Sequence, residues 1–171
     1  MAPPLANASE QPALAAAVID GASTYSASEL FAMYRDQLGR PISSSAAQAI
    51  AAQIEALYLR DGYSRPELRI DAQLAAEGIL RIEVFEARIT GVEFTGDQGP
   101  YSQTLERIGA ELCAQATLRP SNLQGALQQM RELPGLSVRA STRRDELRRN
   151  AYGLIVHADY QPIQGAIELT N

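Results

Sequence analysis

The chain holds one histidine, His157, and one cysteine, Cys113. A Ser-His-Asp triad would have to be assembled around His157, and nothing near it supports one. A zinc site with several His or Cys ligands is impossible within the chain. His157 alternates with Ile155 and Asp159, opposite Leu154 and Val156, and reads as a surface histidine. Cys113 can form no internal disulfide; it follows Leu112 in a helical stripe and reads as a small packing residue. Glu83 and Glu86 lie near a strand end and read as solvated carboxylates rather than an acid–base pair. All 15 basic residues are arginine. The absence of lysine excludes Schiff-base chemistry and a P-loop nucleotide site. No cofactor is expected.

One charge feature stands out. Arg139, Arg143, Arg144, Arg148 and Arg149 crowd a short stretch interrupted by Asp145 and Glu146. It is either a solvated hairpin tip or a docking site for an acidic segment. A general nucleic-acid coat is disfavoured by the formal charge of −5 and the pI near 4.9. Gly96-Asp97-Gln98-Gly99 matches the G-x-x-G loop of KH domains, but it precedes its first helix instead of joining two helices, and its neighbours are acidic.

The 171 residues suffice for one medium domain or two small ones, and 46% are hydrophobic, which is enough to build a core. No run is long and apolar enough to span a bilayer as a helix. Met1 to Pro12 lacks the basic start and apolar core of a signal peptide. The chain is expected either to work in the cytoplasm or to begin after a removed signal.

Residues 1–13 read as a flexible Ala/Pro-rich lead-in. Leu14 to Asp20 reads as a first strand ending at Gly21. Ser26 and Glu29 have capping-box spacing and open a helix with Leu30, Met33/Tyr34 and Leu38 on one face. Ser43 caps a second helix with Ala47, Ile50, Ile54 and Leu57 on its buried face, and Gly62 ends it. Gly62 is expected to take a positive φ, with Tyr63 turning back onto the sheet. Two runs of period two follow. One is Glu67 to Leu74, with Leu68, Ile70, Ala72 and Leu74 inward. The other is Gly78 to Glu86, with Leu80, Ile82 and Val84 inward. Ala76-Glu77-Gly78 supplies their turn. The order is β-α-α-β-β.

The pattern then repeats. Val92 to Gly96 is a strand. Leu105, Ile108 and Leu112 mark a helix. Ser121 and Gln124 read as a capping box opening another helix with Leu123, Leu127 and Met130 inward. Pro134-Gly135 stops it. Leu136, Val138 and Ala140 alternate in one strand, and Tyr152, Leu154, Val156 and Ala158 in the next. Ile19 and Phe94 are 75 residues apart, as are Leu30 and Leu105; Ile54 and Met130 are 76 apart, as are Leu57 and Leu133. The halves join near Glu86 to Ile89 without a Gly/Ser linker, which implies a fairly rigid junction. The fold class is α+β. Each unit is a three-stranded sheet covered on one face by two helices.

Certain stretches resemble a known family. They are Leu38-Gly39-Arg40-Pro41-Ile42-Ser43, Tyr58-Leu59-Arg60-Asp61-Gly62-Tyr63 and Gly78-Ile79-Leu80-Arg81-Ile82-Glu83-Val84-Phe85-Glu86. Together they resemble the polypeptide-transport-associated (POTRA) domain of haemolysin-secretion-type transporters. Leu133-Pro134-Gly135-Leu136-Ser137-Val138 resembles the second POTRA domain of the same transporters, the TpsB proteins of two-partner secretion. The resemblance implies tandem POTRA domains over residues 14–87 and 88–162, an exit segment over 163–171, and a sixteen-stranded outer-membrane β-barrel. It also implies a periplasmic location and capture of an unfolded or extended secreted partner, without nucleotide or nucleic acid. The chain departs from the family's usual pattern at Ala87, where glycine is common, and at the arginine-rich hairpin. Neither a plug helix nor the barrel lies within the sequence, so it is expected to be a fragment ending at the membrane boundary. A POTRA module of an outer-membrane assembly factor, or a soluble α+β enzyme, are the other readings.

A hairpin-ended β-α-α-β-β unit is expected to pair its first and third strands and to leave the second at an edge. Backbone groups of Glu67 to Leu74 and Leu136 to Arg143 would then be open to an extended chain, guarded by outward charges. The expected partner-binding residues are Leu59, Leu68, Arg69, Asp71, Arg139, Arg143 and Arg144. Gly62, Tyr63, Pro134 and Gly135 are expected to be structural.

Overall fold

The computed structural model describes residues 12–71 and 77–162. The described part of the chain forms two compact units. The first runs to Asp61 and resumes over Arg65–Glu86; the second takes Gly62–Ser64 and everything from Ala87 onward.

In the first unit, β1 (Ala16–Asp20) leads to α1 (Ala27–Tyr34), α2 (Ser44–Arg60), β2 (Glu67–Asp71) and β3 (Ile79–Phe85). The strand order is β1-β3-β2. β1 pairs with β3 in parallel, because the two helices carry the chain back across the sheet; β2 pairs with β3 antiparallel, as a hairpin must. Ser26 caps α1 with a complete capping box, in which the Glu29 carboxylate accepts from the Ser26 backbone N–H. Ser43 caps α2 by accepting from Ala46 N–H. The core is built on Ile50, Ile54 and Tyr58 of α2 and on Leu80, Ile82 and Val84 of β3. Each such apolar side chain contributes about 1.5–3 kcal/mol when fully buried.

Two expectations for this unit are corrected. α1 ends at Tyr34 and a single 3-10 turn covers Arg35–Gln37, so Leu38 leaves the helical stripe and stands exposed. Leu14 is buried but lies outside β1: its N–H donates to the Arg40 carbonyl and its own carbonyl accepts from Gly39 N–H. Residues 72–76, which include the inward positions expected at Ala72 and Leu74 and the first residue of the expected turn, Ala76, lie outside the described residues, as do the exit segment and most of the lead-in.

The second unit repeats the plan. β4 (Arg88–Asp97), α3 (Ser102–Cys113), α4 (Pro120–Arg131), β5 (Leu136–Arg144) and β6 (Ala151–Tyr160) form a sheet of order β4-β6-β5 with the same pairing senses. Leu105, Leu112, Met130, Leu154 and Val156 fill its core. α4 begins two residues earlier than the Ser121 cap predicts. Pro120 occupies the first helical position, where its fixed φ suits the helix and its missing N–H costs nothing, and no side chain caps it. Ala140 is exposed although its strand parity is inward.

Gly21 follows β1 and Gly96 is the penultimate residue of β4, 75 residues apart. Their φ values are +83° and +84°, and a Cβ on either would run into a carbonyl oxygen of the central strand, Val84 or Ala158. Each lets the chain leave the sheet toward its helices. Gly62 also has a positive φ, +79°, as expected, but a Cβ there would meet nothing nearer than Arg119 Nη1 at 4.0 Å. The two kinds of glycine should therefore respond differently. Gly62→Ala should cost about 1–2 kcal/mol of stability through backbone strain alone. Gly96→Ala adds a clash with backbone and should cost about 3 kcal/mol or more. Urea denaturation of the two variants checks the ordering.

Candidate partner-binding site

The carboxylate of Glu86 holds the end of β3 in place. Parity along β3 puts it on the same side as Leu80, Ile82 and Val84, and it is 8% exposed. Ser23 hydroxyl donates to Oε2 at 2.5 Å, Thr24 N–H to Oε1 at 2.9 Å and Tyr58 hydroxyl to Oε1 at 2.6 Å. Burial opposes ionisation and is the largest influence on this group, but the hydrogen bonds from Ser23, Tyr58 and Thr24 together outweigh it. Glu86 is thus an ionised carboxylate held below its ordinary range, and the expectation that it is solvated is overturned. Desolvation, then the Glu86 carboxylate, push the Tyr58 hydroxyl up, so it stays protonated as a donor. Tyr25 packs edge-on against Tyr58 at 4.9 Å and donates to the Leu57 carbonyl and to Asp61.

β2 is held by its antiparallel pairing with β3. In both sheets the third strand is central, and β2 and β5 each lie at an edge. Leu68 and Ile70 stand opposite Val84 and Ile82, on the side that faces the helices. Leu68 is half-buried and Leu59, on α2, is exposed. Arg69 stands opposite Glu83 on the open face, and its Nε donates to Glu83 Oε2 at 2.6 Å. Asp71 ends the strand. The charges expected to guard this edge are therefore partly engaged on the neighbouring strand.

On β5, Arg139 and Arg143 stand opposite His157 and Gly153 on the open face, and Arg144 ends the strand. All three are exposed. Arg143 approaches Glu93 at 3.9 Å. Pro134 and Gly135 lie between α4 and β5. The Pro134 carbonyl accepts from Tyr101 hydroxyl at 3.1 Å, and the Gly135 carbonyl accepts from Gln161 N–H at 2.8 Å. Tyr63 does not turn back onto the first sheet. Its segment joins the second unit, where the Arg119 guanidinium lies 4.0 Å from its ring centroid and Ser64 N–H donates to the Leu118 carbonyl. A cation over an aromatic face is an attractive alternative to apolar burial for tyrosine.

The remaining candidates are quiet. His157 is exposed and lies 3.2 Å from Thr95 Oγ1. Cys113 is half-buried, and burial pushes its thiol up, away from reactivity. The G-x-x-G segment spans the end of β4 and the turn that follows it, where Asp97 accepts from Gly99 N–H. No cluster of three metal-ligating side chains occurs among the described residues. No helix among them is long and apolar enough to cross a membrane.

A duplicated β-α-α-β-β unit with its third strand central defines a tandem module of POTRA type. Residues 14–87 match the family described as "POTRA domain, ShlB-type". The match covers 74 of the 171 residues, the first β-α-α-β-β repeat, and the second repeat has the same topology. Among solved structures, it is similar to the N-terminal domain of Omp85 from Thermosynechococcus elongatus (TM-score 0.76, 17% identity, 90% of this chain and 68% of that one). It is also similar to CdiB from Escherichia coli (TM-score 0.68, 18% identity, 96% of this chain) and to POTRA1-3 of the periplasmic domain of Omp85 from Anabaena (TM-score 0.69, 16% identity, 90% of this chain and 67% of that one). The chain spans 30% of the CdiB chain's length. No curated protein sequence matches it.

Glu86 gives the sharpest stability test. Its folded pKa is depressed, so its contribution is complete above the unfolded carboxyl value of about 4.3 and is lost as pH falls through the folded value. Tyr58→Phe should cost about 1.5–3 kcal/mol at neutral pH. Glu86→Gln should be less stable than the parent at pH 7, and the gap should narrow as pH falls below about 4. Thermal melts across that range check both.

Proposed function

We propose that this chain is the periplasmic substrate-recognition module of an outer-membrane transporter of the two-partner secretion type. In this reading it captures an unfolded, extended secreted partner and passes it to a β-barrel in the outer membrane. The observation that carries the reading is the placement of β2 and β5 at sheet edges in both units. An edge strand offers a row of backbone donors and acceptors, and an extended polypeptide can add to it as a further strand with loose side-chain preference. Leu59 and Leu68 would supply shallow apolar contacts beside β2, and the arginines of β5 would favour acidic stretches. The module works by binding and needs no cofactor.

A second reading is a POTRA module of an outer-membrane protein assembly factor. The Omp85 domains share its fold. At this level of identity, the shared fold serves both readings equally. The ShlB-type match over residues 14–87 supports the secretion reading. A very large secreted protein encoded beside this gene would support it further.

Proline tests the edge directly. Successive residues of a strand point their N–H groups to opposite sides, so of Arg69→Pro and Ile70→Pro one removes a donor bonded to β3 and the other removes an outward donor. The first should destabilise the unit. The second should lower the affinity for an N-terminal fragment of the secreted partner at least five-fold while retaining a cooperative melt. Isothermal titration with both variants checks this. Unchanged affinity in the variant that keeps its fold would remove β2 from the binding surface.

A further inference from the structure

The β5–β6 hairpin stands out from the second unit as an arm. Leu136 and Val138 of β5 are buried, but every residue from Arg139 to Arg144 is exposed. Strand parity would turn Ala140, Thr142 and Arg144 to the same side as Leu136 and Val138. The helices that cover those two side chains therefore do not cover this end of the strand. The loop beyond it is shaped by its own backbone. Asp145 N–H donates to the Ala151 carbonyl at 2.8 Å, and Asp145 Oδ1 accepts from Leu147 N–H at 2.9 Å and from Arg148 N–H at 3.2 Å. Asn150 closes the loop with a φ of +51°, and its carbonyl accepts from Arg88 N–H at 3.2 Å.

This shaped loop holds an apolar side chain in water. Leu147 is 96% exposed, whereas the other large apolar side chains at the surface of the described residues, Val18, Phe31, Leu38 and Leu59, are 37–44% exposed. The charge around it is positive. Residues 139–149 carry five arginines, all exposed, against Asp145 and Glu146, in a chain of net charge −5. Arg143 also approaches Glu93 at 3.9 Å, and with that carboxylate counted the arginines remain in excess. The screening length at physiological salt is about 8 Å, so a surface touching the tip responds to the arm rather than to the whole chain.

We propose that the β5–β6 hairpin is a membrane-contact arm for an anionic phospholipid surface. Leu147 enters the boundary between headgroups and acyl chains, and the flanking arginines meet the lipid phosphates while their stems lie along the apolar layer. An acidic polypeptide is the poorer occupant: its carboxylates would satisfy the arginines and leave Leu147 in water. A phospholipid surface presents anions at its face and hydrocarbon just beneath, which matches both features. The proposal goes beyond the proposed function and rests on it only for the source of the membrane, the periplasmic leaflet of the outer membrane. β6 has ten residues, and at about 3.3 Å per residue the loop lies roughly 30 Å from Tyr160. With a barrel following Tyr160 and lipid at the loop, β6 lies along the bilayer surface.

The sequence has no tryptophan, so Leu147→Trp places a single fluorophore at the tip, and Phe31→Trp places one at an exposed site on α1 as a control. Phosphatidylglycerol vesicles should shift the Leu147→Trp emission to the blue and leave Phe31→Trp unchanged. Phosphatidylcholine vesicles should bind about ten-fold more weakly. Arg148→Glu with Arg149→Glu, which leaves the β5 arginines in place, should weaken phosphatidylglycerol binding about ten-fold, most strongly at low salt. Leu147→Ser should weaken it while keeping the parent's melt and its affinity for a fragment of the secreted partner. An unshifted Leu147→Trp emission with phosphatidylglycerol vesicles would overturn the proposal, as would equal shifts at both tryptophan positions. Vesicle affinity of the charge-reversed arm within about two-fold of the parent would also overturn it. An aspartate–leucine peptide that shifts the Leu147→Trp emission where vesicles do not would overturn it and assign the arm to a polypeptide. Vesicle binding through Leu147 without affinity for the secreted partner would uphold the arm and remove the secretion reading.

Discussion

The first unit depends on a buried negative charge. An ionised carboxylate 8% exposed is costly unless strong donors replace the water it loses. Glu86 draws those donors from the β1–α1 loop and from α2, while its own backbone ends β3. Satisfying the charge therefore fixes the start of α1, the last turns of α2 and the end of the central strand relative to one another. With β3 fixed, β1 and β2 have places on its two sides, and β2 is left at an edge.

The second unit reaches the same arrangement with different chemistry. Tyr101 there donates to the Pro134 carbonyl and packs edge-on against Tyr160 at 5.8 Å, while Gln161 N–H donates to the Gly135 carbonyl. Tyr25 of the first unit likewise donates to a carbonyl at the end of its second helix, that of Leu57. A tyrosine closing the corner between loop and helix is common to both halves, whereas the carboxylate belongs to the first. Side chains can thus diverge while a topology with an open edge strand persists.

Much of this was legible in the residues. Period two in Leu80, Ile82 and Val84, and helical spacing in Ile50, Ile54 and Leu57, follow directly from which faces are buried. The 75-residue offset exposed the duplication. Glu86 was misjudged because charge was weighed above parity: the alternation that buried Val84 also pointed Glu86 inward. Tyr58 falls four residues after Ile54 on the buried face, and that spacing was a usable signal for its partner role. Tyr63 was not recoverable, since the Arg119 guanidinium that meets its ring lies 56 positions away. The Ser121 cap failed because Pro120 beside it was the stronger start signal.

The central claim is that an extended polypeptide binds by adding a strand to an exposed edge. The most direct measurement is isotope-filtered nuclear Overhauser spectroscopy on the labelled chain with an unlabelled extended fragment of the secreted partner. Strand addition predicts intermolecular backbone contacts at alternate residues of Glu67–Asp71 or Leu136–Arg144, with the regular spacing of a β-ladder. Contacts confined to the helices, with both edge strands silent, would contradict it.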